Sequence, residues 1–365
     1  MEFDRRQDLI QEARRFVELS RRGFMTGAAA LGAGAAALGS GFITSAAAQD
    51  FDVPKTGKKV RVGLGLNYGP FNQPWRRGCW TLLKAVVDLG GEPVCVRGTP
   101  SKQSEQASAR ALLDRNIDVL VLGIYSLESE TAYIVDEAKK RGIKTVGFAV
   151  PVKESPFVQE DTYATGATLA YFVQNVCQRQ GTFVQTAESK GFYTPFDQEA
   201  DQFELMAKYE PRMKLLPFMS GSTSTTDEIS KGRENMLSLL EAHPQPGSVT
   251  GLISWWWPFT IGAGQALKQM NRTDVKLFNH YFSDQLLQAM AARTYPIEFS
   301  TDVPWHTMGK KVGEMAMAMG RGVAVKPYMY RVPVTAILPE QAKDALAEVQ
   351  GMDKQAIAFL KQYGG

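Results

Sequence analysis

Hydrophobic positions along the chain recur in two rhythms. From residue 60 onward, short apolar runs alternate with longer stretches in which apolar side chains return every three or four residues, the marks of buried strands and amphipathic helices. The first run sets Val60, Val62, Leu64 and Leu66 between glycines, stops at Asn67, and breaks at Gly69-Pro70 before a helix that starts near Asn72. Further strands are expected at 92–96, 118–123 and 144–148, with helices at 104–115 and 128–140. The second of these helices closes on Lys139, Lys140 and Arg141 with Gly142 as its stop. A polar connection flanked by Pro151 and Pro156 interrupts the rhythm, and a second alternating set opens at 157–162, read as the crossing into another lobe. There the expected strands are 181–186, 213–218, 248–254, 275–279 and 297–301. Helices fill 164–178, 197–209, 226–242, 259–270, 283–293 and 304–319. A last strand at 328–338 and an Ala/Lys/Glu-rich helical tail close the chain, which has no internal repeat. Strands alternating with helices imply parallel sheets with right-handed crossovers, an α/β fold.

Composition adds size and address. The 365 residues, 44% hydrophobic and 22% charged, suffice to bury two cores. The formal net charge is +3 and no Lys/Arg cluster interleaves with aromatics, so nothing points to nucleic acid as a partner. Residues 1–48 do not read as part of the fold. Ser20-Arg21-Arg22-Gly23-Phe24-Met25 resembles a twin-arginine export signal, and an uncharged Ala/Gly/Leu run from Gly27 to Ile43 leads to Ser45-Ala46-Ala47-Ala48, with cleavage expected before Gln49. The alternative, a transmembrane anchor, suits so Ala/Gly-rich a run poorly. Cys79, Cys95 and Cys177 are an odd number, which builds no disulfide framework. They read as buried apolar residues, with one pair left open.

In a parallel sheet the loops leaving the carboxyl ends of the strands form the crevice where ligands sit. Those loops are rich in rings: Tyr68, Phe71, Trp75, Tyr125, Phe192, Tyr193, Phe196, Trp255, Trp256, Trp257, Tyr281, Phe282 and Trp305. Phe71 and Trp75 can equally form the buried face of the first helix. Alternation along a strand turns Trp255 and Trp257 one way and Trp256 the other, so at least one of the three is expected at the crevice. The loop carboxylates are Asp161, Asp197, Asp227, Asp284 and Asp302, of which Asp197, Asp227 and Asp302 precede helical patterns where Asp also serves as an N-cap. His243, His280 and His306 are scattered and make no metal cluster with these acids. Gly63-x-Gly65-x-x-x-Gly69 is one residue too long for a dinucleotide fingerprint, and no G-x-S-x-G elbow occurs.

An exported two-lobed α/β chain with ligand loops at its strand ends resembles the type I periplasmic sugar-binding proteins of the ribose/galactose branch. The stretches that carry the resemblance are VGLGLNYGPFNQPW, DVLVLGIYSLES, SKGRENMLSLLEAHPQPGSVTGLIS and EFSTDVPWHTMGKKV, and it extends over residues 58–340. It implies ligand contacts from Asn67, Phe71 and Trp75. The family's Asp-Arg pair falls at Ala149-Val150, its cleft arginine at about Asp197, its asparagine near Trp256 and its glutamine at Asp302, so four polar sugar hooks are replaced. A second resemblance rests on His280-Tyr281-Phe282-Ser283-Asp284-Gln285, Ser300-Thr301-Asp302 and Trp305, which are similar to the periplasmic trimethylamine-N-oxide-sensing relatives of this fold that signal to a membrane kinase.

The resulting expectation is an α/β chain of two doubly wound parallel-sheet lobes joined by a three-crossing hinge. Its parts are a signal at 1–48, an N-terminal lobe of 58–156 and 303–332, a C-terminal lobe of 157–302 and 333–340, and a helical tail at 341–365. The crossings are expected near 152–162, 301–304 and 330–334. Such a chain binds a small sugar-like or polar molecule without catalysis, resident cofactor or metal, and passes it to a membrane ABC permease. The alternatives are a sensor-kinase partner that binds a methylated amine and, third, a twin-arginine-exported oxidoreductase. The expected contacts are Asn67, Phe71, Trp75, Tyr125, Asp161, Tyr193, Asp197, Trp256, Tyr281 and Asp302.

Overall fold

The apolar runs become strands in the computed structural model, which describes residues 53, 57–69, 72–221, 227–325 and 329–364. The export signal and Phe71 lie outside the described residues. In chain order the elements are β1 (Arg61–Asn67), α1 (Gln73–Asp88), β2 (Glu92–Gly98), α2 (Lys102–Leu113), β3 (Val119–Leu122), α3 (Glu128–Lys140), β4 (Lys144–Phe148) and β5 (Phe157–Glu160). Next come α4 (Thr162–Val176), β6 (Gly181–Ala187), α5 (Thr194–Lys208), β7 (Met213–Leu215), β8 (Met219–Ser220), α6 (Glu228–Ala242), β9 (Gly251–Ser254) and α7 (Trp257–Gln269). The chain ends with β10 (Lys276–His280), α8 (Asp284–Ala291), β11 (Ile297–Asp302), α9 (Trp305–Gly320), β12 (Met329–Val332), β13 (Thr335–Ile337) and α10 (Ala342–Leu360).

Two sheets result. The first runs β12-β5-β4-β3-β1-β2, with every pairing parallel. The second runs β13-β11-β10-β9-β6-β7 with β8 beside β6, all parallel except β13 against β11. The chain passes between them after β5, after β11 and between β12 and β13, which gives the three-crossing hinge.

Two expectations need correction. Strand 157–160 belongs to the first sheet and not to the second lobe, since it pairs with β4 and β12. The proline-flanked segment before it is a turn inside the first lobe, tied down by a 2.5 Å bond between Thr145 Oγ1 and Ser155 Oγ. Val158 is fully buried in that core, so the crossing comes at Asp161. The single strand expected at 328–338 is two, β12 in one sheet and β13 in the other. Pro333 stands between them, where the absence of an N–H suits a change of sheet.

Helix α9 follows a second-lobe strand yet packs on α1 in the first lobe. A Cβ on Gly309 would fall 2.1 Å from the carbonyl oxygen of Gly78, so the two backbones touch where no side chain fits. Thr81 Oγ1 donates to the His306 carbonyl at 2.7 Å across this contact. The tail is not free-standing: α10 lies on both α1 and α8, and Asp353 approaches Arg76 at 3.4 Å and Arg77 at 3.5 Å. Cys79, Cys95 and Cys177 are all free thiols.

Candidate functional site

Residues just past the strand ends of both sheets converge on one cavity between the lobes. The first lobe contributes Asn72, Pro74 and Trp75 from the start of α1, Ile124 and Tyr125 from the loop after β3, and Trp305 from the start of α9. The second contributes Glu188, Phe192, Tyr193 and Phe196 after β6, Trp256 after β9, and Tyr281 after β10. The space they enclose is about 30 Å³, comparable to two waters.

Rings define its shape. On the first-lobe side Trp75 lies 4.5 Å from Phe148 and 5.3 Å, edge-on, from Trp305. On the second-lobe side Tyr281 lies 5.0 Å from Trp256 and 5.3 Å from Phe196, both edge-to-face. The walls meet through Tyr125 and Phe192 at 5.9 Å and through Tyr281 and Trp305 at 6.0 Å. Tyr281 reaches its position by a φ of +81°, a left-handed conformation rare outside glycine. Its N–H donates to Thr301 O and its carbonyl accepts from Asn279 Nδ2, both at 2.9 Å, which holds the backbone there.

Behind the rings stand buried acids. Trp256 Nε1 donates to Glu228 at 2.9 Å, Tyr193 Oη donates to Glu160 at 2.9 Å, and Tyr281 Oη donates to Tyr193 Oη at 3.3 Å. Burial pushes the Glu228 carboxyl up to about 8 and the Glu160 carboxyl up to about 7. Glu188 lines the cavity itself. Burial, then the neighbouring Glu228 and Asp197, hold its carboxyl well above the usual range, and its Oε2 has no protein partner. Tyr125 Oη, Trp75 Nε1 and Trp305 Nε1 are likewise buried without a partner, all on rings that line the cavity. Four buried polar atoms without a protein partner thus belong to side chains that line this one cavity. His280, deeper in, is held down to about 3 by burial and is neutral, so it offers the site no charge.

The profile of the family described as periplasmic binding protein domain matches residues 66–323. The chain belongs to this family. No curated protein matches the sequence. Among solved structures it is similar to an ABC transporter solute-binding protein from Agrobacterium vitis with bound allitol, at 21% identity and TM-score 0.69 over 80% of this chain and 99% of that one. It is also similar to a galactofuranose-binding protein, at 16% identity and TM-score 0.71 over 80% and 99% of the two chains. A third is a 5-methylthioribose transporter solute-binding protein from Thermotoga lettingae, at 17% identity and TM-score 0.69 over 84% and 93%. At these identities the likeness establishes the two-lobed type I fold.

In this periplasmic binding protein, Trp75, Tyr125, Tyr193, Trp256 and Tyr281 meet on the cavity as expected from sequence. Asn67 does not: it is buried under α2, and Ser108 Oγ donates to its Oδ1 at 3.1 Å. Nor do the three expected carboxylates. Asp161 caps α4, accepting from Ala164 N, and Asp197 accepts from Gly191 N at 2.8 Å. Asp302 accepts from Phe282 N at 2.8 Å, in the field of Arg77. Each satisfies backbone donors, the structural use open to Asp beside a helix or turn. The acids that sequence reasoning missed are Glu188, Glu228 and Glu160. Only Glu188 carried a signal, since it stands directly after β6. The expected strand ends one residue short, at 186, and the first candidate named after it is Phe192.

Of the Trp run, Trp256 alone lines the cavity. Trp255 is core, its Nε1 donating to Gln185 at 2.8 Å, and Trp257 is buried in the first turn of α7. Among the described residues no group of side chains could hold a metal ion, and no helix is long and apolar enough to cross a membrane.

Proposed function

We propose that this protein is the substrate-binding component of an ABC importer of the simple-sugar type, capturing a small hydroxylated molecule between its lobes and presenting the closed form to a membrane permease. The observation that carries the reading is the cavity at the strand ends of both sheets, where aromatic faces alternate with buried polar atoms that have no protein partner. Such faces suit the C–H surface of a sugar or polyol, and its hydroxyls suit the indole N–H groups, the phenol and the carboxylate. The similar solved structures, an ABC solute-binding protein with allitol, a galactofuranose-binding protein and a 5-methylthioribose transporter protein, support transport over the sensing alternative. Neither cofactor nor catalysis enters this reading, and because about 30 Å³ holds only about two waters, the lobes must part on the three crossings to admit a ligand and then close on it.

A thermal-shift screen against sugars, polyols and their amino derivatives tests it. A compound that binds only the folded form raises the melting temperature. At least one small hydroxylated compound is expected to do so, and a library that leaves the melting temperature unmoved contradicts the reading. Export by the twin-arginine translocase is part of the proposal and rests on Arg21-Arg22 and the Ala/Gly run behind them. Changing both arginines to lysine should stop periplasmic accumulation, whereas normal accumulation would argue for another route.

A further inference from the structure

We infer that the ligand of this cavity carries a positive charge: a protonated or quaternary amine on a small hydroxylated skeleton, seated among the rings with its charge facing Glu188. The inference rests on the capture reading above and adds the ligand's charge to it.

Its first support is the imbalance of charge around the cavity. Glu188 is 7% exposed and lines the cavity with one oxygen unpartnered. Glu228 stands behind Trp256 and Glu160 behind Tyr193. Among the described residues no Lys or Arg lines the cavity. The nearby bases are engaged elsewhere: Arg76 and Arg77 face Asp353, Lys102 pairs with Glu130 at 3.0 Å, and the Lys190 ammonium lies over the Phe218 ring at 5.6 Å. A buried carboxylate is stable only when paired with a cation or protonated, and this chain supplies no cation to Glu188.

The second support is the rings. Aromatic faces are electron-rich and attract ammonium groups, most strongly where water is excluded. Trp75, Tyr125, Trp256 and Tyr281 are each no more than 5% exposed. The third is the set of unpartnered donors, Trp75 Nε1, Trp305 Nε1 and Tyr125 Oη. They need acceptor oxygens, which a bare alkylammonium lacks and a hydroxylated one has. A neutral polyol would meet these donors and leave Glu188 protonated, whereas an ammonium can take the place of that proton and gain the attraction of the carboxylate as well.

A proton should therefore move on binding. The titratable groups facing Glu188 are Glu228 from α6, Asp197 from α5 and Tyr125 after β3, and none of them supplies positive charge. Glu188 accordingly holds a proton in the free protein and releases it when an ammonium arrives. Affinity for a cation should rise with pH, and affinity for a neutral ligand should not.

The test is a thermal-shift panel of purified protein against matched pairs that differ in charge: choline and 3,3-dimethyl-1-butanol, glucosamine and glucose, glucamine and glucitol. Stabilisation is expected from the ammonium members only. Calorimetric titration of the best of them should give an enthalpy that differs between phosphate and HEPES buffers, as proton release requires. Glu188→Gln should weaken that compound at least tenfold while melting no lower than the wild type, because the substitution removes a desolvated acid. If the neutral members stabilise as well or better, the charge inference is overturned and the importer reading stands. If no member of either kind stabilises, both fall. Undiminished cation binding by Glu188→Gln, or on the wild type a buffer-independent enthalpy, overturns the role given to Glu188 even where the variant folds poorly.

Discussion

The two walls of the cavity use the same residue types and finish them differently. On the first-lobe wall Trp75 and Trp305 are held by packing against each other and Phe148, and their indole N–H groups have no protein partner. On the second-lobe wall the polar tips are anchored: Trp256 on Glu228, Tyr193 on Glu160, and Tyr281 on Tyr193. The first wall can therefore offer donors to a ligand, whereas the second offers ring faces fixed in orientation by acids behind them. The Tyr193–Glu160 bond also joins a second-lobe ring to the end of β5, where the chain leaves the first sheet. The contrast teaches that an aromatic side chain at a cleft is understood from where its polar tip ends.

Breaking the second wall should have the largest effect. Trp256→Ala removes a ring and strands Glu228 without its donor, so it should cost about 3–5 kcal/mol of stability in urea unfolding. In calorimetry it should cost about 2–4 kcal/mol of ligand affinity. Wild-type binding by this variant would mean that the ring is only core. Tyr193→Phe is a smaller cut in the same wall. It leaves Glu160 without its hydrogen bond at an otherwise unchanged ring, with an expected loss of about 1–3 kcal/mol in the same unfolding assay.

Raising the pH should act on the buried acids, those behind the second wall among them, and not on the two indoles of the first wall. Glu160 and Glu228 have folded pKa values of about 7 and about 8, above the ordinary carboxylate value of 4.5. The folded state therefore holds more protons than the unfolded one, and the stability they contribute, complete below about 4.5, is lost as pH rises through these values. His280 works the opposite way, its pKa lowered from 6.5 to about 3, so it affects stability only below about 6.5. Between pH 6.5 and 8 the acids alone act, and the melting temperature of the ligand-free protein should fall. A flat or rising profile would contradict the buried-acid description. The smallest effect belongs to the first wall. Trp305→Phe keeps a ring but removes one unpartnered N–H, so stability should change by less than about 1.5 kcal/mol. Ligand affinity should drop by about 1 kcal/mol, the worth of one hydrogen bond.

Much of the fold was legible because buried parallel strands leave continuous apolar runs, and Val60 to Leu66 or Leu252 to Ser254 need no distant partner to be recognised. Strand 157–160 was misassigned because a polar, proline-rich turn looks the same whether it joins two strands or two lobes. At the site the rings were legible, since Trp75, Tyr125, Tyr193, Trp256 and Tyr281 all follow strand ends. The carboxylates were not. Asp161, Asp197 and Asp302 sit where Asp commonly satisfies backbone N–H groups, and that local use prevailed. Glu160 and Glu228 owe their place to rings 33 and 28 residues away, a pairing that only tertiary structure creates.

The central claim is that ligand binds between a packed donor wall and an acid-backed ring wall. Its most direct test is a crystal structure of the protein with the compound that gives the largest thermal shift. The account predicts that compound between Trp75 and Trp305 on one side and Trp256 and Tyr281 on the other, with its nitrogen nearest Glu188 and an oxygen within reach of an indole N–H. A compound bound outside this ring of side chains, or inside it with Glu188 making no contact, would contradict the account.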